Sequence, residues 1–272
     1  MSGTLYLVGT PIGNLGDMTD RARETLAAVD VVAAEDTRRA GRLLERFGIS
    51  ARRVSLFEGN ERRRTEQLLD ELREGRDVAI ISDAGMPGLS DPGFPLVRAC
   101  IEEGIDVRVV PGPSAAVAAL LVSGLPTDRF AFEGFLPRKA GQRRARLESI
   151  RDDQRTHVVF ESPLRVGTLL RDVVAVLGDR RVAVVRELTK LHEEVVRGRA
   201  ADVAAQLSDR ALKGEVVVVI EGAREQETAD PGALVAEAQA LVAGGMRKRE
   251  AAGEVARRRG ASANEIYRAM TN

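Results

Sequence analysis

Apolar and polar positions in the first 110 residues alternate between two rhythms. The short runs Leu5-Tyr6-Leu7-Val8, Val31-Val32-Ala33-Ala34, Val78-Ala79-Ile80-Ile81 and Val107-Arg108-Val109-Val110 have the length of buried strands, and residues 53–56 form a weaker one. Between them apolar residues recur at helical spacing. Thr19 suits the cap of a helix that turns Ala22, Leu26 and Val29 inward, Gly48 suits the end of a helix through Leu43, Leu44 and Phe47, and residues 61–73 form a third helix. This β-α-β-α order predicts an α/β domain with a largely parallel sheet. Past residue 124 the texture changes. His157-Val158-Val159-Phe160 reads as a strand and residues 163–177 as a helix; three strand-like runs follow, 181–186, 193–197 and 215–220, with one clear helix around 202–207. Strands without intervening helices predict a mixed, partly antiparallel sheet. Gly124-Leu125-Pro126 marks the boundary, so the expected organisation is two α/β domains, 1–124 and 125–224, with a cleft between them and a linker and helical tail over 225–272. The polar stretch 223–230 is the linker, and residues 250–269 carry two short helical patterns around Gly260, the outline of a helix-turn-helix.

Composition narrows the class. A chain of 272 residues has the length of two domains, and 44% hydrophobic with 30% charged residues is ordinary for a protein with real cores. No apolar run approaches the ~18 residues a membrane span needs. The N-terminus lacks a basic segment ahead of an apolar run, so no signal peptide is expected. Cys100, the single cysteine, sits in a helical pattern beside Val97 and Ile101 and reads as core; without a disulfide framework the expected compartment is the cytoplasm. A net charge of zero argues against a nucleic-acid partner until its distribution is considered. Basic residues cluster at Arg138, Lys139, Arg143, Arg144 and Arg146, at Arg247, Lys248 and Arg249, and at Arg257, Arg258 and Arg259. Each cluster is either a solvated helix face or a grip on nucleic-acid phosphates.

Three glycine- and proline-rich segments follow predicted strands directly: residues 9–17, 82–88 and 111–116. In an open α/β sheet ligands bind beyond the carboxyl ends of the strands, and small residues let backbone groups approach them. Three such loops predict a shared pocket. It is not a familiar nucleotide site, because no Gly-Lys pair and no G-x-G-x-x-G after the first strand occur. With His157, His192 and one cysteine, a zinc site lacks ligands and no metal is expected. Asp83, at a strand end, is expected to accept hydrogen bonds from a ligand, whereas Asp91 and Pro92 suit the cap and first turn of the next helix.

Seven segments occur together and in order: residues 5–17, Ala34-Glu35-Asp36-Thr37-Arg38, residues 82–93, residues 111–115, Glu133-Gly134-Phe135-Leu136-Pro137, Phe160-Glu161-Ser162-Pro163 with Arg165, and Arg186-Glu187-Leu188-Thr189-Lys190. On these the chain resembles the tetrapyrrole methylase superfamily over nearly its whole length. The second and last segments place it on the branch that methylates small-subunit ribosomal RNA. The resemblance implies two α/β domains, a homodimer, and S-adenosylmethionine held in the cleft against Pro11, Asp83, Ala84, Gly85, Met86, Pro87, Ser114 and Ala115. The second domain would add Phe160, Glu161, Leu188 and the strand near Val218. The implied reaction is 2′-O-methylation of a cytidine in the decoding region of 16S RNA, free or in the small subunit. Met86 stands where the family usually has threonine. Phe57-Glu58-Gly59-Asn60 replaces a histidine-containing segment, so no catalytic histidine is expected there.

Such a reaction needs alignment of oxygen, methyl carbon and sulfur, and an acceptor for the hydroxyl proton. Glu35, Asp36 and Lys190 are the catalytic candidates, although Asp36 or Thr37 also suits a helix cap. Arg38, Arg138, Lys139, Arg143, Arg144, Arg247 and Lys248 are the expected RNA contacts. A corrin-ring methylase, a non-catalytic RNA-binding module and a DNA-binding regulator remain alternatives. The first would share the pocket, the second leaves the three loops unexplained, and the third rests on the tail alone.

Overall fold

Each short apolar run of the first half is a strand in the computed structural model, which describes residues 2–208, 210–223, 231–259 and 261–271. The order is β1 (Leu5–Val8), α1 (Asp20–Ala28), β2 (Val31–Ala34), α2 (Thr37–Arg46), β3 (Arg52–Ser55), α3 (Glu61–Arg73), β4 (Val78–Ile81), α4 (Phe94–Glu102) and β5 (Val107–Val110). These strands form one parallel sheet in the order β3-β2-β4-β1-β5. Alternate side chains point to opposite faces, so one face packs Val8, Val32, Ala34 and Ile81 under Leu26 of α1 and Leu44 of α2. The other face packs Leu5, Val31, Ala33 and Ile80 under Leu68 and Leu72 of α3 and Leu96 of α4. Thr19 caps α1, its hydroxyl accepting from Ala22 N at 3.1 Å. Burial pushes the Cys100 thiol up to about 11, in keeping with an inert core position.

Helix α5 (Ala115–Ser123) is apolar nearly all round, with one side buried on the second sheet and Val117 and Leu121 left exposed on the other. Its Ala116, Ala119 and Leu120 pack on Val158, Ala183, Val185, Val217 and Val219 of the second sheet. Gly124, at φ 72°, then reverses the chain into the second half. There follow β6 (Phe130–Phe135), α6 (Ala140–Ser149), β7 (Thr156–Glu161), α7 (Val166–Leu177), β8 (Arg181–Arg186), β9 (Glu194–Arg199), α8 (Ala200–Leu207) and β10 (Val216–Ile220). The sheet order is β6-β7-β10-β8-β9, with β6 and β7 parallel and the other pairs antiparallel, the mixed sheet expected from the strand spacing. Its outer face packs under α7 and α8 through Val159, Val184, Val218, Leu169, Val173 and Val203.

Two differences from the sequence reading have local causes. The helix expected from residue 163 starts at Val166, because residues 162–165 first form a turn closed by Arg165 N to Ser162 O at 2.9 Å. Strand β6 has no counterpart in the pattern analysis. Its Gly134, at φ 60°, sits at a shift in pairing register that interrupts the alternation.

Residues 223–272 form a separate compact unit. In it α9 (Pro231–Ala243), α10 (Lys248–Arg259) and α11 (Ala263–Ala269) share a small core of Leu234, Ala238, Ala252, Val255 and Ile266. Lys248 opens α10 directly after Arg247. Arg258 pairs with Glu254 at 2.8 Å and Arg259 with Glu237 at 3.0 Å, so part of the tail's charge is compensated within it. Residues 224–230 of the expected linker, and Gly260, lie outside the described residues. No helix among the described residues is long and apolar enough to cross a membrane.

Candidate active site

Strand order decides where the three loops meet. Strand β1 lies between β4 and β5, so the segments leaving their carboxyl ends converge. They touch closely enough to require glycine. A Cβ on Gly9 would lie 2.6 Å from Gly112 Cα and 2.7 Å from Met86 Sδ. Thr10 and Gly85 exchange backbone hydrogen bonds of 2.9 and 3.1 Å, and Gly85 holds φ 84°. The ends of β7, β8 and β10 and part of β6 face these loops. Together they enclose a cavity of about 480 Å³ lined by Ile12, Glu35, residues 83–86 and 89–91, residues 114–116, Phe132, Phe135, residues 160–163, Val185, Leu188 and residues 214–217. That size suits a small-molecule ligand, for which ~300–1,000 Å³ is typical.

Backbone strain is gathered at this cavity. Among the described residues Ser90 (φ 63°), Glu187 (φ 52°) and Thr189 (φ 65°) are the non-glycine residues at positive φ. Ser90 lines the cavity and the other two bracket Leu188, which lines it too. Each such residue costs about 1–3 kcal/mol, and such costs cluster where a site is shaped. Segment 187–190 is held by its own polar contacts. Glu187 Oε1 accepts from Lys190 Nζ at 2.8 Å and from Glu215 N at 2.9 Å, and Lys190 also donates to Glu215 Oε2 at 3.0 Å.

One wall is acidic. Glu35, Asp83 and Asp91 all line the cavity. Asp83 accepts from Asp36 N at 3.2 Å and pairs with Arg39 at 3.0 Å. Burial, then the charges of Glu35 and Asp83, push the Asp91 carboxyl up to about 6. Burial and the Asp83 charge likewise raise Glu35, with Arg39 opposing. Asp36, immediately before α2, behaves oppositely. It caps the helix, accepting from Arg38 N at 2.8 Å, and its hydrogen bonds from the Arg38 side chain and backbone lower it to about 2. Phe160, also in the lining, stacks edge-on with Phe132 and Phe135 at centroid distances of 4.9 and 5.6 Å. Glu161 is buried, pairs with Arg165 and accepts from Ser162 N at 2.6 Å, yet its Oε2 and Arg165 Nη1 have no partner.

A sequence profile of the tetrapyrrole (corrin/porphyrin) methylases matches residues 4–204. The chain is 44% identical to ribosomal RNA small subunit methyltransferase I of Halalkalibacterium halodurans over 97% of its length and 93% of the relative's. It is 48% identical to that of Thermotoga maritima, covering 81% of this chain and 99% of the relative. The chain belongs to the ribosomal RNA small subunit methyltransferase I family. Among solved structures, uroporphyrin-III C-methyltransferase of Thermus thermophilus shares the fold, with a TM-score of 0.56 at 24% identity over 80% of this chain and 94% of the other.

Placed on this family fold, the residues singled out by sequence fall into groups. Asp83, Ala84, Gly85, Met86, Ser114, Ala115, Phe160, Glu161 and Leu188 line the cavity, together with Glu35. Pro11 lines a smaller recess beside it, with Arg39 and Lys190, and Pro87 is buried behind the loop. Val218 is a correction. It is buried on the outer face of the second sheet, and Val217 lines the cavity instead. Asp91 is another, since α4 starts at Phe94 with Gly93 at its cap position, which leaves Asp91 in the cavity wall. Arg143 is also corrected as an RNA contact. It is buried and bonded to Asp172, and Arg144 bonds the same carboxylate at 2.7 Å from an exposed position. Arg138 lends its carbonyl to Arg143 at 3.1 Å, and Lys139 stands exposed just before α6. Arg38 is exposed and pairs with Asp36 at 3.0 Å. Asn60, in the segment that replaces the family's histidine, accepts from Phe57 N at 2.9 Å. Sequence reasoning gave no pocket role to Phe132 and Phe135, which the unrecognised strand β6 carries, although Phe135 stands in the family segment 133–137.

Proposed function

We propose that the protein transfers a methyl group from S-adenosylmethionine to a ribose 2′-hydroxyl of 16S ribosomal RNA, at a cytidine of the decoding region. The observation that carries this reading is identity of 44% over 97% of the chain, and of 48% over 81% of it, to relatives named ribosomal RNA small subunit methyltransferase I. A corrin-ring substrate has only fold-level likeness behind it, from structures such as the one at 24% identity. The cavity fits the donor. It offers apolar walls from Ile12, Ala84, Met86 and Phe160, an acidic wall that suits a cation, and in Glu161 Oε2 a buried acceptor that no protein group uses. When bound, the donor supplies an electrophilic methyl on a sulfonium.

Glu35 is the base this reading favours. It lines the cavity, and its raised pKa brings it nearer the working pH than an exposed carboxylate. With the donor supplying its methyl to the ribose oxygen, Glu35 would take the proton that the hydroxyl gives up. Asp36 and Lys190 take other parts. Asp36 caps α2 and orients Arg38. Lys190 loses to desolvation but gains more from Glu187 and Glu215, which raise its pKa and keep it a cation holding segment 187–190. The reading includes a homodimer. Its support is the exposure of Ile101 on α4, Val109 on the edge strand β5, and Leu121 on α5.

The test is methyl transfer from labelled donor to small ribosomal subunits taken from a strain lacking this modification. Label in 16S RNA, recovered as 2′-O-methylcytidine after digestion, is the expected result. Label in a porphyrinoid ring and none in RNA would refute it.

Asp91 makes donor binding pH-dependent. A sulfonium favours the ionised carboxylate, so below pH 6 the proton on Asp91 must leave for binding to occur. Donor affinity, measured by calorimetry, is expected to fall up to about tenfold per pH unit below that value. Asp91→Asn should flatten the profile. The raised pKa also means that Asp91 contributes stability below its unfolded pKa and loses it as pH rises through 6, so the Asn variant should be the more stable at pH 8.

A further inference from the structure

Beside the candidate active site an open groove runs between α2 and the turn into β3, lined by Arg38, Arg42 and Glu45 of the helix and by Ser50 and Arg53. We propose that this groove grips the phosphodiester backbone of the substrate RNA through the guanidinium groups of Arg42 and Arg53, an inference that rests on the RNA-methylating reading.

The first reason is that these two cations are uncommitted. Arg38 pairs with Asp36, Arg39 with Asp83 and Arg52 with Glu71, but Arg42 and Arg53 have no ion-pair or side-chain hydrogen-bond partner among the described residues. Glu45 is the single carboxylate in the lining. A free planar guanidinium presents a fork of donors that matches phosphate oxygens, and hydroxyls such as that of Ser50 add further donors.

The second reason is local construction. Arg38 and Arg42 stand four residues apart and so share one side of α2. Between them is Gly41, where an added Cβ would come 3.3 Å from Arg53 Nη1. The missing side chain lets the strand arginine lie close across the helix, bringing a second positive charge to the same groove.

The third reason is position. The residue before α2 donates its N–H to Asp83, and Arg39 pairs with the same carboxylate, so the helix begins at the acidic wall of the cavity. Arg42 follows Arg39 by three residues, about 4.5 Å along the axis at 1.5 Å per residue. Glu35, Asp83 and Asp91 oppose the approach of a polyanion to that wall, and cations just outside it offset the repulsion. Phosphate contacts there would set register while the nucleotide itself enters the cavity.

The experiment compares the parent protein with R42E/R53E and with R62E/R63E. The second pair carries the same charge change on exposed positions of α3, which packs on the other face of the sheet. Binding to purified 16S RNA is measured across a salt series, methyl transfer to small subunits is followed alongside, and calorimetry with S-adenosylmethionine reports that the fold and cavity are intact. For R42E/R53E, RNA affinity at low salt should fall at least about tenfold, and the salt slope should flatten by about 1.4, near 0.7 for each lost single-strand contact. KM for the subunit should rise while donor affinity holds. R42E/R53E binding RNA as the parent does, or R62E/R63E losing as much, would overturn the groove and leave the methyltransferase reading standing. A parent that labels no RNA would overturn both.

Discussion

Replacing Glu35 by glutamine is expected to lower kcat for methyl transfer by about 10²–10⁴-fold, the usual contribution of a general base. The amide keeps the size of the side chain in the cavity wall and removes only its ability to take a proton. Donor affinity should therefore hold, because the lost interaction belongs to the transition state. Single-turnover transfer to small subunits, read beside donor calorimetry, separates the two. The pH profile gives a second readout. Burial and the Asp83 charge raise the Glu35 pKa, so the parent's rate should fall as pH drops through that raised value, and the Gln variant should lack this limb. Full turnover in E35Q would place proton removal elsewhere.

The largest expected effect on stability lies in the second sheet's outer layer. Arg143 of α6 donates from Nε to Asp172 of α7 at 2.7 Å, and the two side chains are 5% and 3% exposed. Asp172→Ala leaves a guanidinium buried without its counter-charge, a change that typically costs about 3–5 kcal/mol. At about 2–4 °C per kcal/mol for a unit of this size, the melting midpoint should fall by roughly 6–20 °C. Arg144→Ala should cost far less, because Arg144 bonds the same carboxylate from a side chain that is 60% exposed. Burial alone would raise the Asp172 pKa, but the hydrogen bonds from Arg144 and Arg143 outweigh it and depress the group. Its stabilisation is therefore present above the ordinary carboxylate range and fades as pH falls through the depressed value. The gap between parent and D172A should be full at pH 7 and close in acid. The apolar pair Arg143→Met with Asp172→Leu should recover most of the loss, since the single variant's penalty is an uncompensated charge. A D172A variant melting within a degree or two of the parent would contradict this account.

The elements of the first half were legible because their signals are local. Four apolar runs, a threonine cap and helices with apolar residues three and four apart depend on neighbours in the chain. Helix α3 occupies residues 61–73 as the spacing predicts. The loop glycines were legible for the same reason, since Gly9 and Gly85 follow strand ends. The motif segments are local too, and they carry the family membership in the sequence itself.

What the tertiary structure decided depends on contacts between distant residues. In Val216–Ile220 every position is buried, so alternation carries no parity, and only the packing of α5 on one face and α7 on the other turns Val217 rather than Val218 to the cavity. Asp91 looks like a helix cap until α4 is found to start at Phe94. Arg143 belongs to a basic cluster in sequence, but its partner Asp172 is 29 residues away, and the pairing removes it from the surface. Arg42 and Arg53 come together through the α2–β3 turn and the gap left by Gly41. Charge and apolarity are properties of a residue, whereas exposure, parity and pairing are properties of the packed chain, and the site is built from the latter.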